Sequence, residues 1–442
     1  MKHSNDFSYD DALAFIHGAQ KLGSKLGLTN IRALLERLGN PEKSLRFIHI
    51  AGTNGKGTVT SSLAAVLKAA GYRTGAYTSP FVYRFNERMQ IDGEDVSDAL
   101  LTESTEKVQK ACKDMVEEGM AHPTEFEIVT AVAFLCYAAE KCDFVALEVG
   151  LGGRLDATNV IEAPLCTAIN LIGFDHMQYL GNTLSEIAAE KCGILKQGVP
   201  AVIYREQPAE AMETIFEKCR EKDAAMYLAD APCMLESTYR GNRFSAGTFS
   251  DLFLPLAGAH MAKNACVTLK IIEVLREKGI SIPDSAVRLG FENTRHRGRF
   301  ETVDENPLFI LDGAHNEDGI KALSCAANSL FKEKKIVLIC GMLRDKEYGK
   351  AMEQMAAVGE KMITVTVPSP RALPADDLCT EAQKYRKNAE AAKSLYEAVE
   401  KAYAEKPDVI IGFGSLYMLG DLHAAQKEYA KILSPKKADG SI

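Results

Sequence analysis

Several hallmarks of membrane and secreted proteins are missing from this 442-residue sequence. No apolar run approaches the roughly 18 residues needed to cross a bilayer, which argues against a membrane protein. The first residues, Met1 to Asp6, lack the apolar stretch of a secretory signal. The sequence therefore predicts a protein that stays in the cytoplasm and has no membrane partner.

Paired cysteines are also absent. The eleven cysteines are scattered singly, without a C-x-x-C pair. This pattern excludes the common zinc and thioredoxin motifs and predicts no disulfide framework. Isolated cysteines of this kind are typical of small core residues in a reducing compartment.

Basic runs are limited to a short stretch at residues 295–299, and the net charge is −8. Nucleic acid is therefore excluded as the main partner, and small-molecule substrates are expected instead. With 46% hydrophobic and 25% charged residues, the chain has an ordinary globular composition. Its length predicts more than one domain.

Apolar, strand-like runs alternate with helical patterns along most of the chain, which predicts an α/β fold with parallel sheets wrapped by helices. The predicted strands are Leu45–Ala51, Phe144–Val149, Cys166–Ile172, Pro307–Leu311, Lys335–Cys340, Met362–Val367 and Asp408–Phe413. The predicted helices are Ala12–Leu22, Ile31–Leu38, Ser97–Glu118, Glu127–Ala139, Leu184–Leu195, Ala262–Glu277 and Ala389–Ala404. Residues 233–256 are expected to form an irregular, β-rich excursion.

The segment Gly290–Arg299 has no clear periodicity and marks a predicted domain boundary. We accordingly expect one domain at residues 1–296 and a smaller one at 297–442. The second contains alternating strands and helices, sufficient for a doubly wound sheet that binds ligands at the carboxyl ends of its strands.

The most informative motif is the glycine-rich segment Gly52–Thr58, which follows an apolar strand and precedes a helical pattern. Glycines let backbone N–H groups converge on an anion, and a helix N-terminus adds partial positive charge. Lys56 is suited to contact terminal phosphates, and Thr58 to hold Mg²⁺. The spacing departs from the strict G-x-x-x-x-G-K-[ST] pattern, so the segment predicts a variant phosphate-binding loop.

Two polar residues follow or end other predicted strands of the first domain. Glu148 lies near the end of an otherwise apolar strand, where a carboxylate is costly unless it binds a partner such as Mg²⁺. The alternative is a structural acidic residue at a strand edge. His176 follows the next strand and is compatible with either a metal or phosphate contact or a purely structural role.

Lys191 falls on the apolar stripe of a helix that begins with the capping box Thr183–Glu186. Glu186, Glu190 and Lys196 are expected to face water. A lysine on a packed face either snorkels to solvent or has a function there. Burial lowers a lysine pKa, and a neutral amine can add CO₂ to form a carbamate that would serve as a further Mg²⁺ ligand.

Taken together, these motifs resemble the folylpolyglutamate synthase and dihydrofolate synthase family of the Mur ligase superfamily. The resemblance extends from the first helix to Tyr417. The segments that carry it are Gly52–Thr58, Thr78–Pro80, Arg84–Arg88, Pro123–Glu127, Glu148–Asn159, Asp175–His176, Glu190–Lys196, Arg299–Glu301, Asp312–Asn316 and Gly412–Ser415.

The resemblance implies a P-loop-containing central domain of the Mur ligase type with a parallel sheet, joined to a Rossmann-like C-terminal domain. It implies an ATP-dependent ligase that phosphorylates a folate carboxylate and joins the resulting acyl phosphate to the amine of L-glutamate. The expected acceptor is tetrahydrofolate or its one-carbon derivatives, with dihydropteroate as a second acceptor. The enzyme is expected to be a monomer.

The same resemblance assigns roles to individual residues. For ATP these are Thr53, Asn54, Gly55, Lys56, Gly57, Thr58, Asn264, Arg299 and Asp312. One Mg²⁺ would be held by Thr58, Ser79 and Glu148, and a second by His176 and a carbamate on Lys191. Glutamate would meet Asp312, His315 and Ser415. Catalytic roles fall on Lys56, His176, Lys191, Asp312 and His315.

The chain departs from the usual family pattern at Phe81, Met261 and His296–Arg297, and it has no tryptophan. Two alternatives remain open at this level. One is a Mur-type ligase for a different carboxylate, which the folate-type segment Pro123–Glu127 disfavours. The other is a nucleotide-binding protein without ligase chemistry, although the absence of an N-K-x-D motif weakens a GTPase interpretation.

Overall fold

The chain forms two compact units in the computed structural model, which describes residues 7–19 and 27–433. The first unit comprises the residues up to Leu235 together with Arg243–Pro255 and Met261–Arg295. The second comprises Glu236–Asn242, Leu256–His260 and the residues from His296 onward. None of the helices in the described part of the chain has the length and apolarity of a membrane-crossing segment.

Helices and strands alternate along much of the chain before residue 300. The helices are α1 Tyr9–Gly18, α2 Thr29–Arg37, α3 Lys56–Ala69, α4 Asp98–Glu117, α5 Glu125–Ala139, α6 Met177–Leu180, α7 Leu184–Cys192, α8 Ala209–Glu221, α9 Ala259–Glu277 and α10 Asp284–Glu292. The strands are β1 Phe47–Ala51, β2 Thr74–Tyr77, β3 Met89–Ile91, β4 Glu94–Asp95, β5 Phe144–Glu148, β6 Cys166–Ile169, β7 Ala201–Ile203, β8 Met226–Leu228, β9 Cys233–Thr238, β10 Gly241–Ala246 and β11 Phe249–Leu254.

The sheet of the first unit has the strand order β4-β3-β2-β5-β1-β6-β7-β8. The six neighbouring strands β2, β5, β1, β6, β7 and β8 are parallel to one another. At one edge of the sheet, β3 pairs antiparallel with β2, and β4 pairs antiparallel with β3. Both β1 and β5 are fully buried, as expected for parallel strands covered on both faces. The parallel direction brings the carboxyl ends of β2, β5, β1 and β6 to one edge, where the loop after β1 begins.

Packing of α7 against the sheet fixes the position of Lys191. Ile187 and Ala188 of α7 are buried in a cluster with Ile169 of β6 and Ile203 of β7. Thr183 caps the helix, and the predicted capping box with Glu186 is present. The register of α7 is therefore set by its apolar face, and the same face carries Lys191 inward.

The second unit contains a six-stranded sheet of order β12-β13-β17-β14-β15-β16, in which only β12 is antiparallel. Its strands are β12 Glu301–Glu305, β13 Leu308–Asp312, β14 Ile336–Cys340, β15 Lys361–Thr364, β16 Ala389–Ala391 and β17 Val409–Phe413. Its helices are α11 Glu317–Leu330, α12 Tyr348–Ala356, α13 Ala375–Gln383, α14 Leu395–Ala404 and α15 Leu416–Leu433. Asp312 ends β13 at the carboxyl edge of the sheet.

The predicted α/β fold is confirmed, and so is the β-rich excursion, which forms the three-stranded sheet β11-β10-β9. One predicted helix, Ala389–Ala404, is wrong at its start because residues 389–391 pair with β15 as strand β16. The alanines there favour a helix, but non-local pairing overrides that preference. The end of the predicted helix Ala12–Leu22 lies outside the described residues, and the short strands β2, β7 and β8 were not predicted.

Candidate active site

The segment predicted to bind phosphate is a loop only as far as Gly55. Gly55 has φ +80° and directly precedes α3, which begins at Lys56 without a side-chain cap. Lys56, Gly57 and Thr58 therefore form the first helical turn rather than part of the loop. The uncapped amides and the positive end of the helix dipole are suited to an anion. A Lys at this end of a helix is otherwise unfavourable, which supports the phosphate assignment.

Two asparagines pack against this loop. A Cβ atom on Gly55 would lie 2.1 Å from Asn170 Nδ2 and 2.4 Å from Asn264 Oδ1. Asn170 Nδ2 donates to the Asn54 carbonyl at 2.8 Å and to Asn264 Oδ1 at 3.1 Å. Sequence reasoning identified Asn264 but missed Asn170. The available signal was its position at the end of an apolar strand, where a buried amide needs partners.

Asn170 Oδ1 is buried and has no hydrogen-bond partner among the described residues. Such an atom is costly unless a ligand or water satisfies it. This unsatisfied oxygen and the absence of a side chain at Gly55 are two separate observations that are compatible with a ligand-binding site here.

Lys56, Glu148 and Ser79 converge at the carboxyl ends of three neighbouring strands. Lys56 Nζ lies 4.0 Å from Glu148 Oε1 and donates to the Thr53 carbonyl at 3.2 Å. The Ser79 amide donates to Glu148 Oε2 at 3.3 Å. A buried carboxylate is thus held between a cation and a hydroxyl-bearing residue, and it offers oxygen atoms of the kind that Mg²⁺ prefers.

Thr58 is 2% exposed, and its hydroxyl contacts Met261 Sδ at 3.6 Å. A thioether is a weak acceptor, and it takes the hydroxyl proton of Thr58, so this contact is compatible with a cation bound at the hydroxyl oxygen. The unusual residue Met261 therefore lies directly against a predicted metal ligand.

Lys191 is buried, as its helical stripe predicts, with 4% of its surface exposed. Its Nζ donates to the Gly52 carbonyl at 2.9 Å, which places the amine against the glycine-rich loop after β1. Burial, reinforced by the positive charge of Lys56, lowers the pKa of this amine to about 7. A substantial neutral fraction at physiological pH is the condition for carbamate formation.

Two acidic residues act in the opposite direction on the pKa of Lys191. Asp175 and Asp156 each raise it through their negative charge. His176 follows Asp175 directly and has φ +51°. Its Nε2 lies 3.8 Å from Asp175 Oδ1.

Lys196, expected to face water, is instead half-buried and donates to the Asn159 carbonyl at 3.3 Å.

The described residues contain no preformed cluster of three or more His, Cys, Asp or Glu side chains able to hold a metal ion. Mg²⁺ is usually held by one or two carboxylates together with substrate phosphates and water. The oxygen donors Thr58, Ser79 and Glu148 match that preference.

In the second unit, Asp312 is held by its neighbours at the end of β13. Its two carboxylate oxygens accept from the Phe300 amide at 2.8 Å and the Ala314 amide at 2.7 Å. Burial raises the pKa of this carboxyl, while the Arg299 guanidinium opposes the shift. Arg299 packs so closely on Gly313 that a Cβ there would lie 2.5 Å from its Nη1.

His315 Nδ1 lies 2.7 Å from the Gly313 carbonyl. Because a carbonyl only accepts, Nδ1 carries a proton in this contact. Ser415 is buried in the loop after β17, the strand adjacent to β13. Within this unit the structure brings Arg299 and Asp312 into proximity and places His315 and Ser415 at the same sheet edge.

Both units match known families. Residues 50–272 match the Mur ligase middle domain, and residues 298–416 match the glutamate ligase domain of Mur ligases. The chain is 36% identical to the dihydrofolate synthase/folylpolyglutamate synthase of Bacillus subtilis, with 95% of this chain and 99% of that protein covered.

Solved structures show the same similarity. A Mycobacterium tuberculosis folylpolyglutamate synthase complexed with ADP and AMPPCP has a TM-score of 0.85 and 31% identity, covering 96% of this chain and 99% of that one. An E. coli FolC structure in complex with DHPP and ADP has a TM-score of 0.83 and 28% identity, covering 96% and 98%.

Proposed function

Because the chain belongs to the folylpolyglutamate synthase and dihydrofolate synthase family of Mur ligases, we propose that it joins L-glutamate to the terminal carboxylate of a folate at the expense of ATP. The carboxylate is first phosphorylated to an acyl phosphate. The glutamate amine then attacks the acyl carbon, and phosphate leaves as the amide forms. Dihydropteroate is proposed as a second acceptor, since the B. subtilis relative is named for both activities.

The observation that carries this proposal is the convergence of distant residues on one loop. Lys56 faces Glu148 at 4.0 Å, Ser79 contacts the same carboxylate at 3.3 Å, and Lys191 holds the Gly52 carbonyl at 2.9 Å. Phosphoryl transfer depends on positioning and on stabilising charge around the transferred group. These residues provide the cation, the oxygen ligands and the backbone amides for that purpose.

For ATP binding we assign the residues Thr53 to Thr58, with Asn264 beside Gly55, and Arg299 and Asp312 in the second unit. For Mg²⁺ we assign Thr58, Ser79 and Glu148 to one site, and His176 with a carbamate on Lys191 to another. Bound Mg²⁺ would screen the electrostatic repulsion between the anionic carboxylate of the folate and the triphosphate of ATP.

Lys56 would position the terminal phosphate of ATP. His176, next to Asp175, would take part in holding the second Mg²⁺. In the second unit, Asp312, His315 and Ser415 are proposed to bind glutamate. We propose His315 as the residue that takes up a proton from the glutamate ammonium, which has to become a neutral amine before it can attack. Residues 1–296 would then act as the ATP and folate domain, and residues 297–442 as the glutamate-ligase domain.

We further propose a monomeric enzyme that acts in the cytoplasm. All eleven cysteines are unpaired thiols, and only Cys233 and Cys325 are exposed, which is compatible with a reducing compartment.

The function is tested by assaying purified protein with ATP, Mg²⁺ and L-glutamate and with tetrahydrofolate or dihydropteroate side by side. We expect ADP release that requires both glutamate and the pterin acceptor, with a product one glutamate longer. UDP-muramyl peptides serve as the comparison substrate. Activity with those peptides alone, or ATP hydrolysis that no acceptor alters, would contradict the proposal.

Replacing Glu148 by glutamine should lower turnover by about 100-fold and raise the Mg²⁺ concentration needed for half-maximal activity. The amide has the same shape but lacks the charge that attracts the cation. The measurement is ligase rate against Mg²⁺ concentration. The control is Glu162→Gln, because that side chain is 78% exposed. An unchanged Mg²⁺ requirement in Glu148→Gln would remove Glu148 from the metal site.

A further inference from the structure

The loop after β7 contacts the loop after the neighbouring strand β6 through the side chain of Gln207. Its Nε2 donates to the Asn170 carbonyl at 2.9 Å and to the Ile169 carbonyl at 3.4 Å. Its Oε1 accepts from the Ile172 amide at 2.9 Å. One half-buried side chain therefore binds three backbone groups at the carboxyl end of β6. Gln207 has no role in the function proposed above.

The chemistry of these backbone groups favours a carboxamide at position 207. Strand β6 ends at Ile169, so the Asn170 carbonyl and the Ile172 amide lie beyond its paired part. Both residues are buried, and a buried backbone group is costly without a partner. A carboxamide carries a donor and an acceptor on one planar group, so Gln207 satisfies both. A carboxylate of the same shape would keep the acceptor and lose the donor.

The segment that Gln207 holds also fixes the first part of the glycine-rich loop after β1. The Leu171 carbonyl accepts from the Thr53 amide at 2.8 Å and from the Asn54 amide at 3.3 Å. The Thr53 hydroxyl donates to the Gly173 carbonyl and accepts from the Gly173 amide, each at 3.0 Å. The path of the glycine-rich loop at Thr53 and Asn54 is therefore set by residues 171–173.

Asn170 lies between Gln207 and the same loop. Its carbonyl is held by Gln207, and its Nδ2 donates to the Asn54 carbonyl at 2.8 Å and to Asn264 Oδ1 at 3.1 Å. The two asparagine side chains pack against Gly55. A shift of the Asn170 backbone would therefore change both the shape of the loop and the packing at Gly55, where the proposed nucleotide site begins.

We propose that Gln207 is a positioning residue for ATP. By fixing the backbone of residues 169–172, it holds Asn170 and the glycine-rich loop in the arrangement that binds the nucleotide. This rests on the proposed ligase function. The contacts of Glu148 with Lys56 and Ser79 involve none of the residues that Gln207 holds. The expected defect in a Gln207 variant is therefore in ATP affinity rather than in the chemical step.

Replacing Gln207 by alanine should raise the KM for ATP by about 10-fold, as expected for the net loss of about one hydrogen bond. The kcat at saturating ATP and the KM values for glutamate and the folate should change less than about threefold. Gln207→Glu should raise the ATP KM further, because a carboxylate oxygen would face the Asn170 carbonyl. Gln207→Asn, with the same polar groups on a shorter side chain, should give a smaller rise.

The measurement is ADP release against the concentration of each substrate, together with the dissociation constant of ATP from calorimetry. Gln383→Glu is the matched control, because Gln383 Nε2 also donates to a backbone carbonyl, that of Ala389, at 3.0 Å. That contact lies in the second unit, at the start of β16. The control should leave kcat and all three KM values unchanged.

A wild-type enzyme whose ADP release does not depend on glutamate and a pterin acceptor would overturn the proposed function itself. An active wild type with an unchanged ATP KM and ATP dissociation constant in the Gln207 variants would overturn only the role of Gln207. An equal rise in all three KM values, or a fall in kcat at an unchanged ATP KM, would also overturn that role, because each indicates a general structural defect.

Discussion

Replacing Lys191 by alanine is expected to reduce ligase turnover by about 100- to 1000-fold, and added formate or acetate should restore part of the loss. The amine is buried against the glycine-rich loop, and its pKa is lowered to about 7. In that state it can attack CO₂, releasing one proton and leaving an anionic carbamate. A small carboxylate that enters the space left by the side chain would replace the missing anion. The measurement is ADP release with and without each carboxylate.

Acid should act in the same direction as the mutation. Below pH 7 Lys191 becomes an ammonium ion that cannot add CO₂, so activity should fall as the pH falls through the lowered pKa. Added bicarbonate should recover part of the wild-type activity near that pH but none in Lys191→Ala.

A second, half-buried lysine provides the control for this prediction. Partial burial also lowers the pKa of Lys196, to about 8, but its amine donates to the Asn159 carbonyl rather than to the glycine-rich loop. Any loss of activity in Lys196→Ala should therefore not respond to carboxylates. Full activity of Lys191→Ala, or failure of every short carboxylate to restore it, would count against a carbamate at this position.

Replacing Gly55 by alanine should reduce ligase activity by about 100-fold and weaken ATP binding. A methyl group there would approach Asn170 Nδ2 to 2.1 Å and Asn264 Oδ1 to 2.4 Å. Both amides would have to move, and with them the loop that they hold. The backbone angle of φ +80° adds strain of about 1 kcal/mol for a residue with a side chain. Activity and ATP binding by calorimetry give the readout.

Gly39→Ala separates the steric effect from the backbone strain. Gly39 has φ +81°, almost the same as Gly55, but its Cβ would meet nothing within 4 Å. This variant should lose about 1 kcal/mol of unfolding free energy and keep its ATP affinity. If both variants bind ATP equally well, the packing of Asn170 and Asn264 against the loop does not shape the nucleotide site.

Local sequence patterns predicted much of the site because they depend on short-range physics. The apolar run before Gly52 predicted a buried strand, and the stripe through Ile187 and Lys191 predicted that this lysine faces the core. The capping box at Thr183 fixed where that helix begins. These features follow from side-chain periodicity and from hydrogen bonds between residues close in sequence.

Local patterns failed where pairing between distant segments decided the outcome. Residues 389–391 favour a helix by composition but form a strand because β15 offers them backbone partners. Asn170 carried no local signal strong enough to connect it with Gly55. Lys196 was expected in water, yet its amine is turned toward the carbonyl of Asn159.

The sequence by itself determined an α/β protein of a ligase family, a glycine-rich turn between a buried strand and a helix near Gly52, and the burial of Lys191. Only the tertiary structure decided that Lys191 Nζ meets the Gly52 carbonyl, 139 residues away in the chain, and that Ser79 and Lys56 share Glu148. The reason is physical. Parallel sheets bring the ends of strands together in an order set by long-range pairing and packing, which no local pattern in the chain encodes.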